Sequence, residues 1–193
     1  NKHRADLCSI ALGTLSAPQP LPWRVIRIIG VGGAGGNVVA RLAHDGCAAA
    51  DLLVADTNMT VALHDAGPHG ILLGPEIARG LGAGGRLAFG LRAARASSVA
   101  LEAALAGADL VLIIAGLGGG TGGGASPLVA RLAREQGALA LALVTLPFGF
   151  EGARRQRTAG EALAALSAAA DLVIVLPNEA RLPELLHLNI AGA

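Results

Sequence analysis

The stretch Gly116-Leu117-Gly118-Gly119-Gly120-Thr121-Gly122-Gly123-Gly124 puts seven glycines into nine residues, directly after the apolar run Ala108-Asp109-Leu110-Val111-Leu112-Ile113-Ile114-Ala115. Glycine takes positive φ and carries no Cβ, so such a loop can turn its backbone N–H groups onto one point and let an anion approach closely. A second glycine cluster, Gly30-Val31-Gly32-Gly33-Ala34-Gly35-Gly36-Asn37, follows another strand-like run, Val25-Ile26-Arg27-Ile28-Ile29. Two such cradles at the ends of two strands point to a nucleotide with several phosphates.

Composition narrows the alternatives. The chain has 193 residues, 53% of them hydrophobic and 15% charged, which supplies the core of one globular domain. A net charge of +1 with scattered arginines, and only three Phe, one Trp and no Tyr, argue against nucleic acid as a ligand. The two cysteines, Cys8 and Cys47, have neither CxxC spacing nor histidines at ligand spacing, so neither a disulfide framework nor a zinc site is expected. No apolar run approaches the ~20 residues of a membrane span, and a cytoplasmic protein without direct membrane insertion is expected.

Residues 1–22 lack periodicity and close on Pro18-Gln19-Pro20-Leu21-Pro22, which reads as a flexible arm ahead of a domain over 23–193. From Trp23 the pattern alternates. Strands are predicted at 24–29, 51–55, 70–73, 109–115, 138–145 and 171–176. Helices are predicted near 37–45, 59–65, 87–106, 127–136, 153–169 and 179–187. The strands are near-continuous Val/Ile/Leu/Ala runs, as in strands buried on both faces. The expected fold is α/β, a doubly wound, mostly parallel sheet with helices on both faces, whose ligand sits beyond the carboxyl ends of the strands.

Three kinds of nucleotide site compete for the first glycine cluster. Gly30 to Gly35 satisfies G-x-G-x-x-G, and Asp56 follows about 20 residues on, which taken alone favours NAD and an oxidoreductase domain. A Walker A loop is excluded, since the one lysine is Lys2. The dinucleotide reading leaves the second glycine loop and the segment Phe148-Gly149-Phe150-Glu151-Gly152-Ala153-Arg154-Arg155 unexplained.

Those residues carry a family resemblance. Gly33-Ala34-Gly35-Gly36-Asn37, Gly80-Leu81-Gly82-Ala83-Gly84, Gly118-Gly119-Gly120-Thr121-Gly122, Thr145-Leu146-Pro147-Phe148-Gly149-Phe150-Glu151-Gly152 and Leu176-Pro177-Asn178 resemble, in order and spacing, the nucleotide loops of the tubulin-like division GTPase FtsZ. The resemblance runs from about residue 24 to the end and implies a Rossmann-like nucleotide-binding domain. It implies GTP or GDP as ligand, with Mg2+ accompanying the nucleotide. As partners it implies copies of the chain or a complete FtsZ in a head-to-tail polymer, together with other division proteins at the division site.

The resemblance also assigns residues. Gly33, Ala34, Gly35, Gly36 and Asn37 would wrap the diphosphate at a helix N-terminus, where the dipole favours an anion. Gly82, Ala83 and Gly84 would also contact the nucleotide, with Gly84 opening the segment next to the γ phosphate. Gly120, Thr121 and Gly122 would cradle the β and γ phosphates, the Thr121 hydroxyl adding a donor. Glu151 and Arg155 resemble ribose-side contacts; the plainer alternative is an i, i+4 ion pair. Asn178 would meet the guanine edge, or cap a helix beginning at Glu179, or do both. Ser126 and Pro127 read as an N-cap and a first-turn proline.

Departures from the family pattern carry their own expectations. Thr121-Gly122-Gly123-Gly124 replaces T-G-T-G, removing a hydroxyl and loosening the loop. Gly84-Gly85-Arg86-Leu87 replaces G-A-N-P, putting a cation near the γ phosphate. Asp56-Thr57-Asn58 reverses the usual N-T-D, and Leu146 stands where Lys is usual, at the surface. The family's central helix, second domain and water-activating acidic loop have no counterpart in these residues. The Asn1 start and Ala193 end read as those of a fragment whose parent is the GTPase, and the isolated chain is expected to bind GTP with little turnover. A non-catalytic regulator that co-assembles with a complete FtsZ is the remaining alternative.

Overall fold

A computed structural model describes residues 25–47, 50–65 and 69–181. The arm over 1–22 and the later part of the helix expected at 179–187 lie outside these residues. Six parallel strands, β1 (Ile26–Val31), β2 (Asp51–Asp56), β3 (Gly70–Leu72), β4 (Leu110–Gly116), β5 (Leu139–Leu146) and β6 (Leu172–Pro177), form one sheet in the order β3-β2-β1-β4-β5-β6. The doubly wound expectation is met, and the order reverses direction between β1 and β4.

Helices α1 (Gly32–His44), α2 (Pro75–Ala78), α3 (Leu87–Ala96), α4 (Ser98–Leu105), α5 (Gly120–Glu135) and α6 (Ala153–Ala169) make the connections. The chain leaves β1 toward β2 through α1 and leaves β4 in the opposite direction toward β5 through α5. Right-handed crossovers therefore place α1 and α5 on opposite faces of the sheet. The main core lies on the α5 side, where Ile29, Val31, Val111, Ile113 and Val144 meet Leu101, Leu105, Val129 and Leu166, all fully buried. On the outermost strand β6, Leu172, Ile174 and Leu176 remain 51%, 45% and 44% exposed.

Strand positions agree with the sequence expectation to within two residues, and α6 spans the predicted 153–169. Both glycine clusters differ from it. The residues read as loops are the opening turns of helices, so α1 begins at Gly32 and α5 at Gly120. Ser126 and Pro127 accordingly sit inside α5. The Ser126 hydroxyl donates to the Gly122 carbonyl at 2.5 Å, one turn back, and Pro127 lies in the helix interior rather than in its first turn.

Close packing explains so unfavourable a composition for a helix. A Cβ on Gly124 would lie 2.3 Å from the Leu87 carbonyl oxygen and one on Gly90 2.2 Å from the Gly120 carbonyl oxygen, so the backbones of α3 and α5 touch. A Cβ on Gly123 would meet Leu87 Cδ2 at 2.6 Å. The expected loosening at Gly123 is thus overturned, for residues 120–126 are all buried. Leu146 is half-buried and packs against the core rather than standing at the surface.

The helix expected over 87–106 breaks at Ser97. Its Oγ accepts the Gly74 N–H at 2.9 Å and lies 3.4 Å from the Leu72 carbonyl oxygen, which ties the break to the end of β3.

Candidate nucleotide-binding site

The first turn of a helix leaves its N–H groups without intrahelical partners. In α1 these belong to Gly32, Gly33 and Ala34, and in α5 to Gly120, Thr121 and Gly122, since the Gly123 N–H is the first to bond back, to Gly119. Neither helix has a side-chain cap or an acidic residue in its first turn. The positive ends of both dipoles are left uncompensated by the protein.

Topology brings these two ends together. Val31 pairs with Ala115 across β1 and β4, so the strands deliver both helices side by side at the point where strand order reverses. Gly32, at φ +74°, turns β1 into α1, and a Cβ there would lie 2.7 Å from the Gly122 nitrogen. A Cβ on Gly116 would meet Ala34 Cβ at 2.8 Å. The two first turns are in backbone contact, and a cavity of about 480 Å³ opens above them.

The cavity wall gathers most of the sequence-predicted residues: Gly33, Ala34, Gly82, Gly120, Thr121, Gly122, Glu151, Arg155 and Asn178. Gly35, Gly36 and Asn37 continue α1 away from it. Gly35 packs where a Cβ would lie 2.1 Å from the Ile114 carbonyl oxygen, Gly36 faces Val61 and Val54, and Asn37 is exposed. Ala83 is buried against Gly120, and Gly84 lines a neighbouring hollow of about 250 Å³ with Gly118 and Arg154. Arg86 is also outside the wall; its guanidinium lies 5.1 Å from the centre of the Phe89 ring, a cation–π contact that draws it away.

Glu151 and Arg155 are brought together at the cavity wall. They form the i, i+4 ion pair, and both face the cavity. The other carboxylate oxygen of Glu151 accepts the Phe148 N–H at 2.9 Å. That bond, reinforced by Arg155, holds its carboxyl below the ordinary glutamate range. Asn178 opens a 3-10 turn over Asn178–Arg181 after β6. With the described residues its side chain makes no hydrogen bond, and it lines the cavity.

Wall residues to which the resemblance assigned no contact include Gly32, Asn58, Thr145 and Pro147. Thr145 and Pro147 stood inside a quoted motif. Asn58 was legible only as one end of a reversed tripeptide, Asp56-Thr57-Asn58. Asp56 reaches the wall but is 3% exposed, its Oδ1 accepting the Asn58 N–H at 2.9 Å and lying 3.4 Å from Thr57 Oγ1. Burial raises its pKa despite these bonds. An acid turned inward in this way is poorly placed for the ribose hydroxyls that the dinucleotide reading requires. Among the described residues no group of three or more His, Cys, Asp or Glu could hold a metal ion, and no helix is long and apolar enough to cross a membrane.

Comparison with known proteins agrees with this geometry. A family model described as "Tubulin/FtsZ family, GTPase domain" matches residues 25–184. The chain is 46% identical over 154 residues to cell division protein FtsZ 1 of Pyrococcus horikoshii, covering 80% of this chain and 41% of that protein. It is 43% identical over 158 residues to cell division protein FtsZ of Mycoplasmopsis pulmonis, covering 82% and 40%. Among solved structures, an empty FtsZ dimer from M. jannaschii superposes with a TM-score of 0.83 at 38% identity, covering 87% of this chain and 49% of that one. A GTPγS-bound protofilament of CetZ2 from Haloferax volcanii gives a TM-score of 0.73 at 28% identity, covering 88% and 52%. The chain thus spans less than half the length of the two curated relatives. These likenesses do not support the oxidoreductase alternative. With its strand order, its paired helix N-termini and a family match across 25–184, the chain belongs to the tubulin/FtsZ GTPase-domain family.

Proposed function

We propose that the cavity binds GTP and GDP, as the nucleotide-binding half of an FtsZ-like protein that polymerises head to tail in cell division. The observation that carries this reading is the backbone contact between Gly32 and Gly122, which aims two uncapped helix N-termini at one place without a lysine. Two such ends supply enough backbone donors for adjacent phosphates. Asn178 would read the guanine edge, and Glu151 with Arg155 the ribose. Mg2+ would be held chiefly through the phosphates, because among the described residues the wall contributes only Asp56 and Glu151 as carboxylates, both already hydrogen-bonded.

The same engagement bears on turnover. Hydrolysis needs a group free to orient water. Asp56 is held by Asn58, and Glu151 by Phe148 and Arg155. The missing group would therefore come from another subunit. Exposed apolar side chains next to wall residues support a protein contact there: Met59 beside Asn58, Leu81 beside Gly82 and Phe150 beside Glu151 are 50%, 84% and 77% exposed. Other division proteins remain further proposed partners, and the division site the proposed location.

The test is phosphate release. The isolated 193 residues should release almost none from GTP at any protein concentration, and adding a complete FtsZ should raise the rate. Release that climbs with the concentration of the isolated domain would show a water-orienting group within it and refute this part of the reading.

A further inference from the structure

Thr57 is fully buried at the end of β2 and does not line the cavity, yet two of the cavity walls hang on it. Its Oγ1 lies 2.6 Å from Thr121 Oγ1, across 64 residues of sequence and in a buried setting. Its carbonyl accepts the Gly82 N–H at 3.2 Å. The adjoining segment is fastened as well, with the Met59 N–H donating to Gly80 at 3.1 Å and Asn58 bridging to Leu81. Thr57 thus joins the first turn of α5 to the segment carrying Gly82.

The single proton of Thr57 has two acceptors within reach, Thr121 Oγ1 at 2.6 Å and Asp56 Oδ1 at 3.4 Å. The shorter bond is the stronger one. When Thr57 donates to Thr121, the proton of Thr121 is divided between the cavity and the Asp56 carboxylate, which Thr121 also reaches. When it donates to Asp56, Thr121 must donate to Thr57 and offers the cavity no hydroxyl hydrogen. The side chain at 57 therefore governs both the position of the α5 turn and whether Thr121 can donate from it.

We propose that Thr57 is a positioning residue that sets the discrimination between guanosine tri- and diphosphate. It acts through Thr121, which the resemblance sets at the β and γ phosphates, and through Gly82 in the same cavity wall, and makes no bond to the first turn of α1. This inference rests on the guanine-nucleotide reading of the cavity. Removing the hydroxyl should therefore weaken the triphosphate more than the diphosphate, whereas a general loss of packing would weaken both alike.

The experiment measures GTPγS and GDP affinities of the 193-residue chain, Thr57→Val and Thr57→Ser, with thermal unfolding of each. Thr57→Val is expected to lose about tenfold in GTPγS affinity, the scale of one hydrogen bond. Its GDP affinity should fall by less than about threefold on the same scale. Thr57→Ser should restore the ratio. Should Thr57→Val fail to fold, Thr57→Ala removes the same hydroxyl with less bulk, leaves Thr121 in place and is scored in the same way. Equal losses for both nucleotides, or none, overturn the inference while leaving the site reading intact. Failure of the parent chain to bind either nucleotide overturns both.

Discussion

The two glycine-led helices share a composition and differ in what their glycines do. In α1, Gly33 is exposed and a Cβ there would meet nothing within 4 Å, while the helix touches the sheet through Gly30 and Gly35. In α5, Gly120, Gly122, Gly123 and Gly124 are all buried, each with a neighbour closer than 3 Å to the place of a Cβ. The first turn of α1 is open at Gly33, though Gly32, Gly35 and Gly36 are buried, whereas all four glycines of α5 are wedged between α3, β4 and the loop before α3. Glycine content signals close approach, and only structure separates approach by a ligand from approach by another backbone.

The sharpest way to break that comparison is to add a methyl group in each place. Gly124→Ala drives a Cβ against the Leu87 carbonyl and the Leu91 nitrogen, neither of which can turn away. It should destabilise the fold by about 3 kcal/mol or more, read from urea unfolding. An unchanged midpoint would mean that α3 and α5 are not packed as described.

Next in size is the double change Thr121→Ala with Gly122→Ala, compared with Asp56→Ala. The first places a Cβ within 2.6 Å of the Gly116 carbonyl oxygen and removes the partner of Thr57, so it should cost more nucleotide affinity than the second. A larger loss from Asp56→Ala, together with NAD binding, would revive the dinucleotide reading.

Gly33→Ala should separate stability from binding. In an open first turn alanine gains about 0.5–1 kcal/mol over glycine, so the unliganded domain should melt slightly higher. On the proposed reading nucleotide affinity should nevertheless fall, because the new Cβ enters space that this reading gives to a phosphate. Opposite signs in the two measurements would identify an open cradle; the same sign in both would remove Gly33 from the site.

The smallest effect concerns pH. Burial raises the pKa of Asp56, so the folded state binds its proton more tightly than the unfolded chain does. Its contribution to stability therefore declines as pH rises from the ordinary aspartate value of about 3.9 through the raised folded value. Asp56→Asn, which keeps an acceptor for the Asn58 N–H, should abolish that slope. Glu151 works in the other sense: its lowered pKa adds stability above the ordinary glutamate range, lost as pH falls through the folded value. Acid titration of the parent and Asp56→Asn, followed by circular dichroism, checks the sign.

Much of the fold was legible in the sequence because buried parallel strands are continuous apolar runs with glycine at their carboxyl ends. Helix starts were not. A run such as Gly120-Thr121-Gly122-Gly123-Gly124 has poor helix propensity, and the contacts with Leu87 and Leu91 that override it lie more than thirty residues away. The four-residue α2 was missed for a similar reason: it follows Gly74 in a left-handed conformation that nothing nearby announces. In the site, the motif residues Glu151, Arg155 and Asn178 were legible individually, and their convergence on one wall with Gly33 and Gly120 was implied by strand order. Thr57 was not, since a buried hydroxyl bond to Thr121 is a product of tertiary structure alone.

The central claim is that the two helix ends act together on a guanine nucleotide. Calorimetric titration of the 193-residue chain with GTPγS, GDP, ATP and NAD tests it directly. The account predicts binding of GTPγS and GDP, at least tenfold weaker binding of ATP for want of the guanine contacts at Asn178, and none of NAD. Equal affinity for ATP and GTPγS, or preference for NAD, would contradict it.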